Sequence, residues 1–242
     1  MKQLKLRLTA SYIVCVLAIV LAFFALHKVS LQLYPSRSAG KYVPVAFTDA
    51  EYGGTSMASL GKDGDDLALS YTLHSGVEHP SAGIAFPLIA ELRKTFREFK
   101  DFTIYDSVSV VYAAGHGKAK LVLEADDPKY TSSEPGSGRP LEVDLPSGPG
   151  YSEARFALSS FAVPDAWFSA RRIAAPDGKL YLDRIFEVRI ESAGGSLLGF
   201  PGELDLRSLH FYGENRAVRY GALALLVLVT GAYVFALRRM NA

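Results

Sequence analysis

The chain has 242 residues, 49% of them hydrophobic and 21% charged, with a net charge of +1. That near balance hides an asymmetry: all 25 acidic residues, but only 21 of the 26 Lys and Arg, lie between residues 28 and 219, so this segment carries −4. A mildly acidic segment lacks the basic footprint of nucleic-acid binding, and one cysteine, Cys15, excludes a disulfide framework.

Residues 1–8 hold Lys2, Lys5 and Arg7 and read as a cytoplasmic tail. Residues 9–27 read as a first transmembrane helix. Thr9 to Leu26 is uncharged, at about 18 residues near the short end of what spans a bilayer. The exit sequence ALHKVSLQL offers no A-x-A cleavage pattern, so an uncleaved signal-anchor is expected. Residues 28–41 read as a linker and 42–214 as the folded domain. Residues 219–237 read as a second transmembrane helix, and 238–242, with Arg238 and Arg239, as a second cytoplasmic tail too short for a catalytic or DNA-binding output. Cations beside the ends of spans are retained on the cytoplasmic side. Both termini are therefore expected inside and the domain outside, in the periplasm of a bacterial envelope. Neither apolar run holds Asp, Glu, Lys or Arg, which argues against an ion or proton path made by this chain alone. Ala18, Ala22 and Ala25 on one face of the first run, with Gly221 and Gly231 in the second, are candidate helix-packing residues; ordinary membrane composition is the alternative.

Between the runs the apolar period is two. Leu67, Leu69, Tyr71 and Leu73 alternate with polar or small residues, as do Val108, Val110 and Tyr112, and then Phe186, Val188 and Ile190. This pattern predicts half-buried strands. Further strands are predicted at 42–47, 83–88, 119–124, 141–145, 154–159 and 204–211. In the last, Leu204 and Leu206 hold one phase and Leu209 and Phe211 the other, so an inserted residue near Arg207–Ser208 is expected. Leu88, Leu92, Thr95, Phe96 and Phe99 have helical spacing after Pro87. About nine or ten short strands divided by Gly/Pro turns predict an all-β fold, a two-sheet antiparallel sandwich flanked by two transmembrane α-helices.

Chemistry is sparse. The five histidines show no metal-ligand spacing, and His116 in Gly115-His-Gly117 reads as a loop residue. No nucleophile elbow, P-loop or dinucleotide fingerprint is present. Asp49, Glu51 and Asp205 become candidate calcium ligands if the first and last strands pair, because a hard cation takes carboxylate oxygens. Trp167, the only tryptophan, suits an exposed ligand or partner surface together with Tyr52, Arg171 and Arg172; it suits core packing equally well.

Several phrases carry a family resemblance: Phe47-Thr-Asp49-x-Glu-Tyr-Gly53-Gly54-Thr-Ser56, Leu69-Ser-Tyr71-x-Leu73, Pro80-x-Ala-Gly83-Ile-x-Phe86, Phe102-Thr-x-Tyr105-Asp106-x-Val108, Val163-Pro164-x-x-Trp167 and Gly202-x-Leu204-Asp205-Leu-x-x-Leu209-x-Phe211-Tyr-Gly213. The series, over residues 43–213, resembles galactose-binding-like jelly rolls, among them carbohydrate-binding modules and the complex I intermediate-associated protein 30 domain. Such domains also occur outside the membrane in bacterial sensor proteins. The resemblance implies a jelly roll, a glycan as ligand and a structural calcium. The layout implies a non-enzymatic accessory subunit acting through an integral membrane partner, with a carbohydrate-binding sensor module as the alternative.

Overall fold

A computed structural model describes residues 2–36, 42–88, 99–115, 117–132, 136–174, 177–193 and 197–241. Contacts divide the chain into two units, 1–30 with 212–242 and 31–211.

The first unit is a pair of helices, α1 (Lys2–Leu26) and α3 (Arg216–Asn241). Both are long and apolar enough to cross a membrane. They pack along Tyr12, Val16, Ile19 and Phe23 of α1 and Val218, Leu226, Val229 and Tyr233 of α3, the half-buried positions at helical spacing. The Tyr12 and Tyr233 rings stack at 4.3 Å. Thr9 Oγ1 lies 3.1 Å from the Tyr233 hydroxyl, and the Tyr12 hydroxyl 3.3 Å from Thr230 Oγ1. Ala18, Ala22, Ala25, Gly221 and Gly231 are all exposed, off this seam. Large apolar side chains make up most of this seam, with Ala222 and Ala236 of α3 half-buried at the same spacing.

The second unit is built from eleven strands and one short helix, counting the strands that run into it from the first. In chain order they are β1 (Lys28–Tyr34), β2 (Val45–Thr48), β3 (Met57–Asp63), β4 (Asp66–Thr72), β5 (Ala82–Pro87), β6 (Ser107–Ala114), β7 (Lys118–Ala125), β8 (Arg139–Leu145), β9 (Ser152–Ala157), α2 (Asp165–Ala170), β10 (Ile185–Ala193) and β11 (Pro201–Glu214). One sheet runs β3-β4-β11-β6-β9, with β1 also on β11; the other runs β2-β5-β10-β7-β8. The pairs nest: β4 with β11, β5 with β10, β6 with β9, β7 with β8. Rolled up, that antiparallel ribbon puts β4-β11-β6-β9 in one layer and β5-β10-β7-β8 in the other, the strand order of a jelly roll. The layers enclose one core, including Leu69, Val110, Leu206 and Phe211 from the first sheet and Ile84, Phe86, Leu121, Leu141 and Ile190 from the second.

Nine predicted strands are present with small shifts at their ends. The buried face of β11 changes phase between Leu206 and Leu209, both fully buried, as the apolar spacing requires. Two strands were not legible. Residues 28–34, expected as linker, form β1, whose Val29, Leu31 and Leu33 do alternate. β3 is an edge strand with little buried on either face. It is tied to β4 by a two-residue turn in which Gly64 takes φ +60°, a conformation open to glycine at little cost. The first and last domain strands do not pair: β2 lies on β5, in the other sheet from β11. The helix expected after Pro87 and the loop histidine His116 fall on or across residues outside those described.

Candidate functional site

The β-register decides which residues share the outer face of the second sheet, because side chains alternate between faces along a strand. Three rows run across the strands: Phe47–Gly83–Glu191–Lys120–Asp144, Val45–Ala85–Arg189–Val122–Glu142, and Pro87–Glu187–Glu124–Pro140. The inner face of the same strands is mainly apolar, with Ser192 and Arg139 as buried polar exceptions. Seven ionisable side chains thus meet on one sheet face, over β10, β7 and β8.

Six of them, all but Asp144, form two connected clusters. In the first, Arg189 Nε donates to Glu187 while its Nη1 lies 3.4 Å from Glu124 Oε1 and 3.3 Å from the Tyr52 hydroxyl. The guanidinium also stands over the Phe47 ring at 4.8 Å. Gly83 makes room for that ring, since a Cβ there would sit 2.6 Å from it. Burial pushes Glu124 up to about 7, with Glu187 and Glu191 adding to the shift and Arg189 opposing it. One buried guanidinium serves two carboxylates, and Glu124, the more distant of them, is the one whose charged form burial disfavours. Burial likewise raises the Tyr52 phenol, against the lowering effect of Arg189. In the second cluster Lys120 Nζ is 2.8 Å from both Glu142 and Glu191. Burial alone would lower the ammonium, and these two carboxylates more than offset it, so its pKa is raised.

Tyr52 stands at the edge of this face, 42% exposed as a residue. It ends a 3-10 turn, Asp49–Tyr52, closed by Gly53 at φ +83°. The turn is fixed by Asp49, which is fully buried. Asp49 Oδ1 accepts from Ser56 N at 3.0 Å; Oδ2 accepts from Ser56 Oγ at 2.7 Å and Ser81 N at 3.3 Å. Glu51 is exposed in the same turn. Asp205 lies on the other sheet, opposite Ala68, where burial and the neighbouring Glu203, Asp63 and Asp66 raise its pKa. The three carboxylates proposed for calcium are therefore not brought together, because β2 and β11 belong to different layers. Among the described residues no group of three or more metal-type side chains occurs.

Trp167 is 6% exposed in α2, and its indole N–H donates to the Gly138 carbonyl at 2.7 Å. Its ring meets Tyr130 and Phe168 edge-on. Arg171 lies over it at 4.3 Å and donates through Nη2 to the Gly136 and Ser137 carbonyls. Trp167 and Arg171 thus clamp the loop before β8, and the indole face is occupied. The same loop reaches Tyr52, against whose ring Gly136 packs. Arg172 is exposed, at φ +54°, just past the end of α2. Deeper in, Arg139 is held by Asp127 at 2.8 Å and Asp177 at 2.6 Å, and boxed by Trp167, Phe168 and Tyr181 at 5.2–5.3 Å. This arrangement is a structural anchor for the loops around β8.

Of the residues picked from the sequence, the structure places Tyr52 on the charged face and Arg171 beside its edge. Sequence reasoning missed Arg189, Glu187, Glu124, Lys120, Glu142 and Glu191. Their signal was the polar phase of the strands, which reads as solvent-facing until register stacks the phases of three strands together.

Among solved structures the chain is similar to a family 11 carbohydrate-binding module of a cellulosomal cellulase of Clostridium thermocellum, at 13% identity over 78% of this chain and 95% of the module, with a TM-score of 0.49. That module has also been solved with a β-1,3-1,4-mixed-linked tetrasaccharide. A family 29 carbohydrate-binding module, solved as a mutant with cellohexaose (cellulohexaose), is similar at 10% identity over 77% and 92% of the two chains, with a TM-score of 0.42. The saccharides belong to those modules. No family model and no curated protein matches the chain.

Proposed function

We propose that this chain is a membrane-anchored, non-enzymatic recognition module, with a glycan as the ligand of the outer face of its second sheet. One observation carries the reading: Lys120, Glu142, Glu191, Arg189, Glu187 and Glu124 share that face in two bonded clusters, with the partly exposed Tyr52 at its edge. A saccharide presents hydroxyl groups that donate and accept by turns. Glu142 and Lys120, the most open members of the two clusters, keep free lone pairs and a spare N–H, so this part of the face can answer both. An aromatic edge suits the apolar C–H side of a sugar ring.

The two helices would hold the sandwich outside a membrane, with Lys2, Lys5, Arg7, Arg238 and Arg239 on the cytoplasmic side. The test is a broad glycan panel with the full chain in mild detergent, comparing the native protein with Tyr52→Ala and Lys120→Ala. Binding that both substitutions reduce supports the reading; a flat panel removes it.

A second reading, an accessory subunit docked on an integral membrane partner, draws on a different feature. Leu197, Leu198 and Phe200 are exposed just before β11, whose Pro201 pairs with Thr72, and Thr72 in turn with the exposed Met57. Apolar side chains gathered on a surface mark contact sites. Co-purification of a stoichiometric membrane protein, lost with Phe200→Ser, would support it.

A further inference from the structure

We propose that the paired helices carry a binding site for one anionic phospholipid, its phosphate between Arg7 and Arg239 and an acyl chain along the groove beside them. This inference rests on the helices lying in a bilayer.

Arg7 is near the start of α1 and Arg239 near the end of α3, and antiparallel pairing brings both to one end of the helix pair. There they line a single groove of about 420 Å³, with Ser11, Leu8, Phe235 and Met240. The groove is therefore amphipathic in its lining: two arginines and one serine among mainly apolar residues. Neither arginine makes an ion pair among the described residues. In the 242 residues no acidic side chain precedes Asp49 or follows Glu214, so the chain itself supplies no carboxylate side chain on that side. The helix pair thus offers the two arginines no acidic side chain.

Charge and shape together select the occupant. Arg binds phosphate through a planar fork of donors, and two forks can clamp one phosphodiester. A free phosphate would use the arginines and leave the apolar wall bare. A neutral lipid tail would use the wall and leave two cations unanswered. Only a lipid with net negative charge satisfies both, and basic pockets between spanning helices on the cytoplasmic side recognise such headgroups. Ser11 adds a hydroxyl that can donate to a phosphate or glycerol oxygen.

The experiment uses the full chain extracted in mild detergent and observed intact by native mass spectrometry. It is titrated with dioleoyl phosphatidylglycerol and, separately, with dioleoyl phosphatidylcholine. The expected result is one retained phosphatidylglycerol, favoured at least about fivefold over phosphatidylcholine. Arg7→Gln with Arg239→Gln should bring that preference close to one, while Lys2→Gln with Arg238→Gln, an equal loss of charge outside the groove, should leave it. Lys2, Lys5 and Arg238 remain in the first variant to keep its orientation. Equal retention of the two lipids overturns the proposal. So does equal loss in both variants, which marks a diffuse basic surface, and so does full competition by millimolar inorganic phosphate, which marks a bare anion site. Alkaline carbonate washing of the source membranes separates the two levels. Release of the chain would overturn the membrane reading and this site with it; retention without lipid preference would overturn the site alone.

Discussion

Arg189 Nη1 lies 3.4 Å from Glu124 Oε1 while its Nε is taken by Glu187. Glu124 is thus the carboxylate left with the poorer share of one cation, and burial lifts it to about 7. A carboxyl whose folded pKa exceeds its unfolded value favours the fold most below the unfolded value. That contribution is lost as pH rises through the folded one. Between about pH 4.5 and pH 7 the native protein should therefore lose up to about 3 kcal/mol relative to Glu124→Gln. Denaturant melts of both proteins at pH 4.5, 6 and 7.5 test this. Parallel profiles would show that Glu124 is not the buried acid described.

Asp49 is committed to Ser56 and Ser81, and Ser56 Oγ in turn accepts from His74 N at 3.1 Å. Asp49→Ala should cost about 3–5 kcal/mol, since it strands buried donors. Gly54→Ala should also destabilise, because a Cβ there runs into the Asp49 carboxyl. With both oxygens already engaged, calcium or a chelator should leave the melting temperature of the native protein unchanged; a rise with calcium would reopen Asp49 as a ligand.

Trp167→Phe keeps most of the ring area but removes the donor to Gly138 O. A loss of about 1–2 kcal/mol is expected, read by chemical denaturation. Little change on glycan binding beyond that expected from stability would separate this residue from the charged face.

Arg172 occupies the position past α2 where Arg172 N bonds Ser169 O at 3.0 Å and Ile173 N bonds Phe168 O at 3.0 Å. This is the helix-ending pattern that favours glycine in the left-handed region. Arg172→Gly should stabilise by about 0.5–1 kcal/mol in thermal melts. Destabilisation would mean that the arginine side chain makes a contact of greater worth.

In the helix pair, Tyr233→Ala removes the stack on Tyr12 and the hydroxyl beside Thr9. A loss of about 0.5–1.5 kcal/mol in detergent is expected. Ala22→Leu, on the outward face, should change the pair by only a few tenths. The reverse order of effects would place the small residues at the seam.

Alternation along Phe186–Ile190 and the phase change in β11 made the sandwich legible, because one buried face imposes a period of two on any strand. β3 escaped because an edge strand buries too little to leave that imprint, and β1 because Val29, Leu31 and Leu33 sit directly after a long apolar run. The charged face was hidden for another reason. Glu187, Arg189 and Glu191 look solvated along one strand, and only pairing with Lys120 and Glu124 on the next turns them into a cluster. Trp167 was visible as a residue but not as a clamp, since its partner Gly138 belongs to a segment distant in sequence.

The nested pairing has a consequence in time. Leu69 of β4 pairs early with Leu60 of β3 but finds its second partner only in Leu204 of β11, so the outer turn of the roll waits for almost the whole domain to be made. Until then the inner edge of β4 is an unpaired template, and among the described residues only the β3–β4 and β7–β8 pairs are free to form between neighbouring strands in the chain. Folding should therefore be slow for the domain's size, and the emerging chain should be most vulnerable to misjoining at β4, just before its last strand arrives.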